Sequence, residues 1–100
     1  MWRLRARSAD ERRAACQLVK RAFESLRGRV PGMTSLDIGV NQSQVDYACD
    51  VVLISDFDTA DALAAYALNP EHLRVRGELG DIRTHRYQVD FIVGESESAS

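Results

Sequence analysis

Tyr47-Ala48-Cys49-Asp50-Val51-Val52-Leu53-Ile54-Ser55-Asp56-Phe57 is the stretch whose reading decides the fold. Its β-branched and apolar content predicts a strand over Tyr47 to Phe57. The centre, Val51-Val52-Leu53-Ile54, is apolar without alternation. Successive side chains of a strand point to opposite faces, so this strand is apolar on both. A strand with that pattern calls for cover on both sides.

Upstream of it, Thr34, Leu36, Ile38 and Val40 alternate with Met33, Ser35, Asp37 and Gly39. Period two predicts another strand, joined to the first by the polar loop Asn41-Gln42-Ser43-Gln44 and preceded by a Val30-Pro31-Gly32 turn. Ser8-Ala9-Asp10-Glu11 fits a capping box, with Ser8 as N-cap and Glu11 reaching back. Ala15, Leu18, Val19, Ala22, Phe23 and Leu26 then follow helical spacing until Gly28. At the start, Trp2, Leu4 and Ala6 alternate with Arg3, Arg5 and Arg7, which predicts a short strand.

Downstream, Asp58 is the expected cap of a second helix, with Asp61 in its first turn. Leu63, Tyr66 and Ala67 mark its inner face. Asn69-Pro70 breaks it, because the residue before a proline avoids helical geometry. Asn69 can also cap a new segment with Pro70 in its first turn, carrying His72, Leu73, Val75, Leu79 and Ile82. Tyr87, Val89, Phe91 and Val93 alternate as a last strand. The domain is thus expected over residues 1–93, with 94–100, small and polar, as a disordered tail.

The order β-α-β-β-α-β is the ferredoxin-like split βαβ pattern, an α+β fold. It places two helices on one face of a four-stranded antiparallel sheet and leaves the other face open. The doubly apolar strand says that the open face is not simply wet. A second copy packed sheet against sheet about a two-fold axis is the economical cover, so a homodimer closing an α+β barrel is expected.

The bulk composition narrows the function classes. A net charge of -2 gives no global pull toward nucleic acid or anionic membrane. Eight arginines do fall in residues 1–29 (Arg3, Arg5, Arg7, Arg12, Arg13, Arg21, Arg27 and Arg29), joined by Lys20. Without interleaved aromatics they read as a solvated surface rather than a single-strand binding track. Cys16 and Cys49 are too few and too far apart for a disulfide framework or a zinc site, and read as small buried hydrophobes in a reducing compartment. Asp50, Asp56 and Asp58 are scattered between strand and cap and do not form a metal-ligand pattern. No glycine-rich phosphate loop and no nucleophile–histidine–acid set is present. Neither a metal nor a cofactor is therefore expected. The start of the sequence lacks the apolar run of a signal peptide, and no stretch approaches a membrane span, so a soluble cytoplasmic protein is expected.

Several segments together resemble the stress-responsive α/β-barrel (Dabb) domain family. They are Val30-Pro31-Gly32-Met33, Leu36-Asp37-Ile38-Gly39, Asp50-Val51-Val52-Leu53, Asp56-Phe57, Ala62 to His72 with Tyr66 and Asn69-Pro70-Glu71-His72, and Val89-Asp90-Phe91. The resemblance runs from about Trp2 to Val93. It implies a dimeric α+β barrel, in agreement with the sheet argument. It implies a mixed range of functions: many members are stress-related proteins, and one plant member is a polyketide cyclase that closes its substrate by an aldol reaction without a cofactor. In that member a tyrosine and a histidine, in the region matching Tyr66 and His72, carry the acid–base work.

Tyr66 and His72 are accordingly the candidate site. The Asn69-Pro70 break can fold both toward one pocket. A helix N-terminus disfavours a cation, so His72 is expected to be neutral and able to take a proton from carbon beside a carbonyl. Tyr66 can donate its phenol hydrogen bond to the developing oxyanion. The plain alternative is that Tyr66 is core with a satisfied hydroxyl and His72 a surface residue. Three functions follow: a homodimer that holds a small apolar or aromatic carbonyl compound in the barrel cavity, a cofactor-free cyclase or isomerase with His72 as base and Tyr66 as acid, or a non-catalytic stress or assembly module. His85, beside Arg83 and Arg86, is expected to be exposed, and Trp2 to serve packing.

Overall fold

The computed structural model describes residues 1–93; the expected disordered tail, 94–100, lies outside the described residues. The chain runs β1 (Trp2–Leu4), α1 (Ala9–Glu24), β2 (Met33–Val40), β3 (Val51–Phe57), α2 (Ala60–Tyr66), α3 (Pro70–Leu79) and β4 (Arg83–Arg86). The four strands form one sheet in the order β2-β3-β1-β4, with antiparallel neighbours. This is the ferredoxin-like α+β arrangement expected from the sequence, its second helical unit split into α2 and α3 at Asn69-Pro70.

The first helix forms where its signals stand. Ser8 adopts extended backbone and its Oγ accepts the Glu11 N–H at 3.1 Å, as an N-cap does. Ala15, Cys16, Val19, Ala22 and Phe23 line the buried face of α1. They meet Trp2 and Leu4 from β1, Leu36 and Ile38 from β2, Val51 from β3, and Val75 and Leu79 from α3 in one core. The Phe23 ring stacks on Trp2 with centroids 4.8 Å apart and planes 11° from parallel. Cys16 is buried in this core and Cys49 half-buried; both are free thiols.

The long β2–β3 ladder shows how the central strand divides its side chains. Val51 is buried, and Leu53 and Phe57 pack against the helix-side core. Val52 pairs with Gly39, Ile54 with Asp37, and the Ser55–Asp56 pairs lie around Leu36 and Ser35. Ile54 remains 57% exposed, on the face that no helix covers. Ser35 Oγ donates to Asp56 Oδ2 at 2.7 Å on that same side. The open face is therefore mixed: Val52 and Ile54 form an apolar centre beside Asp37 and Asp56.

Several boundaries differ from the sequence reading: β1 stops at Leu4 rather than Ala6, α1 at Glu24 rather than Gly28, and α3 at Leu79, short of Ile82. The N-cap of α2 is Thr59 rather than Asp58; its Oγ1 accepts the Ala62 N–H at 3.0 Å. The central strand begins at Val51, not Tyr47, because Asp50 is diverted: its Oδ2 accepts the Leu4 N–H at 2.8 Å and the Arg12 guanidinium at 2.9 Å. The final strand is Arg83–Arg86, ahead of the expected Tyr87–Val93. Its partner β1 is short, so the ladder ends soon after β4. Met1 and Tyr87 still exchange bonds, the Tyr87 carbonyl accepting from the Met1 amine at 2.8 Å and the Met1 carbonyl from the Tyr87 N–H at 2.9 Å. Beyond that, Val89, Phe91, Ile92 and Val93 are exposed. Their alternation is real, but among the described residues no strand pairs with them.

Candidate functional site

Tyr66 and His72 are brought together by the turn between α2 and α3. Thr59 starts α2, and seven residues later Tyr66 ends it. Asn69 then restarts the chain: its Oδ1 accepts the Glu71 N–H at 2.8 Å and the His72 N–H at 3.4 Å, with Pro70 opening α3. This capping geometry fixes His72 in the first turn of α3, one turn away from Tyr66. The two rings stack with centroids 4.1 Å apart and planes at 22°. Phe57 supports the tyrosine from β3, at 5.4 Å between centroids.

A hydrogen bond orients the imidazole. His72 Nδ1 lies 3.1 Å from the Tyr66 carbonyl oxygen. A carbonyl can only accept, so in the neutral ring Nδ1 carries the proton and Nε2 carries the free lone pair. Burial lowers the His72 pKa below its ordinary value. The hydrogen bonds to Ala67 and Tyr66 oppose this, and the charges of Arg76 and Arg83 reinforce it. The Tyr66 phenol is shifted the other way. Burial raises its pKa, while Arg83 and Arg86 pull it back. At neutral pH the pair is thus a neutral base stacked on a neutral acid.

Both residues lie on the helix-covered side of the sheet. Tyr66 is half-buried and packs against the core that α1 and α3 share with β1, β2 and β3. Expected chemistry at Tyr66–His72 and an expected ligand between two open sheet faces therefore refer to opposite sides of the sheet.

The sequence profile of the family described as "Stress responsive A/B Barrel Domain" (Dabb) matches residues 1–93. The chain belongs to the Dabb family. Among solved structures, the Dabb chain is similar to a dimeric protein of unknown function with a ferredoxin-like fold from Bacteroides fragilis, at 25% identity and a TM-score of 0.77, covering 90% of this chain and 87% of that one. It also shares its fold with a dimeric ferredoxin-like protein of unknown function from Jannaschia sp. CCS1, at 22% identity and a TM-score of 0.62, covering 83% and 80%. No curated protein matches the sequence.

The other sequence candidates in this Dabb domain fall elsewhere. His85 is exposed on β4 and pairs across the sheet with Arg3. Trp2 is 7% exposed and serves packing, as expected, yet its indole Nε1–H finds no acceptor among the described residues. Two open hollows flank the Asn41–Ala48 loop near Arg12 and Asp50, and neither touches Tyr66 or His72. Among the described residues no helix is long and apolar enough to cross a membrane.

Arg83 is the residue near the site that sequence reasoning missed. It stood in an Arg-Thr-His-Arg run that read as an exposed strand start. In the fold it pairs with Leu4, and its guanidinium carbon lies 5.2 Å from the Trp2 ring centroid and 5.6 Å from that of Phe23. The pairing with β1 skips Thr84 between Arg3↔His85 and Leu4↔Arg83, a bulge in β4 that breaks the simple alternation. No local pattern in residues 81–87 announces that displacement.

Proposed function

We propose that this Dabb domain is a homodimer, joined through the open sheet face, that binds a small apolar or aromatic carbonyl compound at the Tyr66–His72 corner. The dimer reading is supported by the exposed Ile54 and the half-buried Val52 on the open face and by the two similar dimeric structures. The ligand reading is carried by one observation: the 4.1 Å stacking of a neutral phenol on an imidazole whose Nδ1 is engaged by the Tyr66 carbonyl. An aromatic carbonyl compound suits such a corner. Its ring can add to the Phe57–Tyr66–His72 stack, and its oxygen can accept the phenol hydrogen bond.

The tautomer also favours a second reading. With its lone pair at Nε2, His72 is set to remove a proton from carbon beside the carbonyl, while Tyr66 stabilises the enolate oxygen. That is the enolisation common to aldol cyclases and isomerases, and it needs no cofactor. In the third reading, a non-catalytic assembly module, the stack is only packing.

Acetophenone separates these readings. Titrated into labelled protein, it is expected to move the His72 ring resonances, and to do so more weakly in Tyr66→Phe and His72→Ala. No movement at millimolar ligand would leave only the assembly module. Exchange of the acetophenone methyl protons in heavy water, catalysed by the parent and lost in His72→Ala, is the outcome expected of the enzyme.

A further inference from the structure

Three arginines act electrostatically on the candidate corner, Arg83 and Arg86 on Tyr66 and Arg76 and Arg83 on His72, without a balancing carboxylate among the described residues. Arg76 lies on α3, Arg83 on β4, and Arg86 ends β4. None of the three pairs with a carboxylate among the described residues; the ion pairs there engage Arg5, Arg12, Arg13, Arg29 and Arg74. Arg86 makes one hydrogen bond, to the neutral amide oxygen of Gln88 at 3.0 Å.

Arg83 is the member held inward. It is half-buried against the Trp2–Phe23 stack, which offers its guanidinium aromatic rings but no counter-charge. Burial first, then Arg86 and Arg76, push its pKa below the ordinary value, and the Tyr66 phenol is the group that opposes them. Such a cation is costly to keep without a partner. The same ring stack holds an indole Nε1–H that is buried and has no acceptor among the described residues. An unpaired indole donor and a half-buried guanidinium without a counter-charge, on one ring stack, supply the donors that a carboxylate would accept from.

We propose that the ligand of the Tyr66–His72 corner carries a carboxylate, and that Arg83 is its principal contact. This rests on the ligand reading given above. Arg83 supplies a planar fork that matches the two carboxylate oxygens, and Arg76 and Arg86 add positive field. The ligand class becomes an aromatic or apolar keto acid rather than a neutral ketone. One anion would balance the arginine cluster while the carbonyl end faces Tyr66.

Trp2 is the sole tryptophan of the chain, so its indole N–H gives one unambiguous signal in an amide-correlation NMR spectrum. The experiment titrates 4-acetylbenzoate and its neutral methyl ester into the full chain, following the indole and His72 ring signals. The acid is expected to bind about tenfold or more tightly than the ester, the scale of one charge-assisted hydrogen bond. Arg83→Met, which keeps apolar packing on Trp2, should abolish that preference; Arg83→Lys, which keeps charge without the fork, should retain part of it. Equal binding of acid and ester overturns the carboxylate proposal and leaves the carbonyl site standing. Absence of any response to either compound overturns both.

Discussion

Ile54→Lys is the sharpest perturbation of the proposed dimer. Ile54 sits on the open face of β3 opposite Asp37, with 57% of its surface exposed in the single chain. Full burial of an isoleucine side chain is worth about 1.5–3 kcal/mol, so closure of the dimer over this residue has roughly 1–1.5 kcal/mol per copy still to gain. A two-fold interface uses the residue twice, giving about 2–3 kcal/mol, or roughly 30- to 150-fold in dimer dissociation constant. Lysine removes that gain and adds the desolvation of two ammonium groups, so a weakening of at least about a hundredfold is expected. The protomer should survive. In a lone chain the new ammonium faces Asp37 across the strand pair, an arrangement that is mildly favourable. Sedimentation velocity across micromolar concentrations is the assay. The parent should run at twice 11.2 kDa and Ile54→Lys at 11.2 kDa, with an unchanged far-UV spectrum. Leu18→Lys, on the outer side of α1 and 42% exposed, is the matched control and should keep the parent's mass. An Ile54→Lys protein that remains a dimer with the parent's dissociation constant would refute the reasoning.

Three further outcomes follow from the site's construction. The His72 pKa, measured by NMR titration, should lie below 6.5, with burial as the main cause, Arg76 and Arg83 adding to it, and the Ala67 and Tyr66 hydrogen bonds opposing it. The unfolded chain then takes up its proton first, so the contribution to stability is complete above pH 6.5 and declines as pH falls from there through the folded value; His72→Gln should flatten that slope, and a measured value at or above 6.5 would count against the buried neutral base. Thr59→Ala should cost about 1 kcal/mol through the lost N-cap and speed hydrogen exchange at Ala62, with Thr59→Ser restoring both; unchanged exchange would mean that α2 is held by its packing alone. Gly32→Ala should lower thermal stability, since φ is +80° and the new Cβ would press on Ala62 and stand 2.8 Å from Asp58 Oδ1; the backbone alone accounts for roughly 1–3 kcal/mol, and a melting temperature within a degree or so of the parent's would contradict it.

The fold was legible in the sequence wherever a short-range pattern meets its partner within the same chain. The Ser8 cap, the apolar stripe from Ala15 to Phe23 and the alternation from Met33 to Val40 depend on local chemistry, and each forms as expected except at Leu18, which faces outward while Cys16 joins the buried face. Most of the failures occur where a distant residue decides. Asp50 looks like part of a strand, but Leu4 and Arg12 claim its carboxylate and bend the chain away. Asp58 and Thr59 are both good caps in isolation; the choice follows the side-chain oxygen that reaches the Ala62 N–H, and that oxygen belongs to Thr59. Tyr87 to Val93 alternate like a strand, but β1 is too short to pair with them. The candidate site divides in the same way. Asn69-Pro70 announced the turn that joins Tyr66 to His72, because capping and proline act locally. Arg83 did not announce itself, because its position comes from a bulge at Thr84 that only the pairing of β4 with distant β1 defines.

The geometry also separates two roles that the sequence reading had merged. A barrel closed by two sheets suggests that ligand and partner share one space. Here the central strand sends Val51, Leu53 and Phe57 toward the helices, and Val52 and Ile54 toward the open face. Tyr66 rests on Phe57, on the helix side. The proposed dimer contact and the proposed ligand corner therefore approach one strand from opposite faces, with alternate residues serving each. Under those two proposals, the alternation accounts for the apolar run from Val51 to Ile54. Polar substitution at Val52 or Ile54 is then expected to act on association, and substitution at Leu53 or Phe57 on the floor beneath the corner. On this reading the strand is the shared wall of both, and its lack of sequence alternation follows from packing on two faces at once.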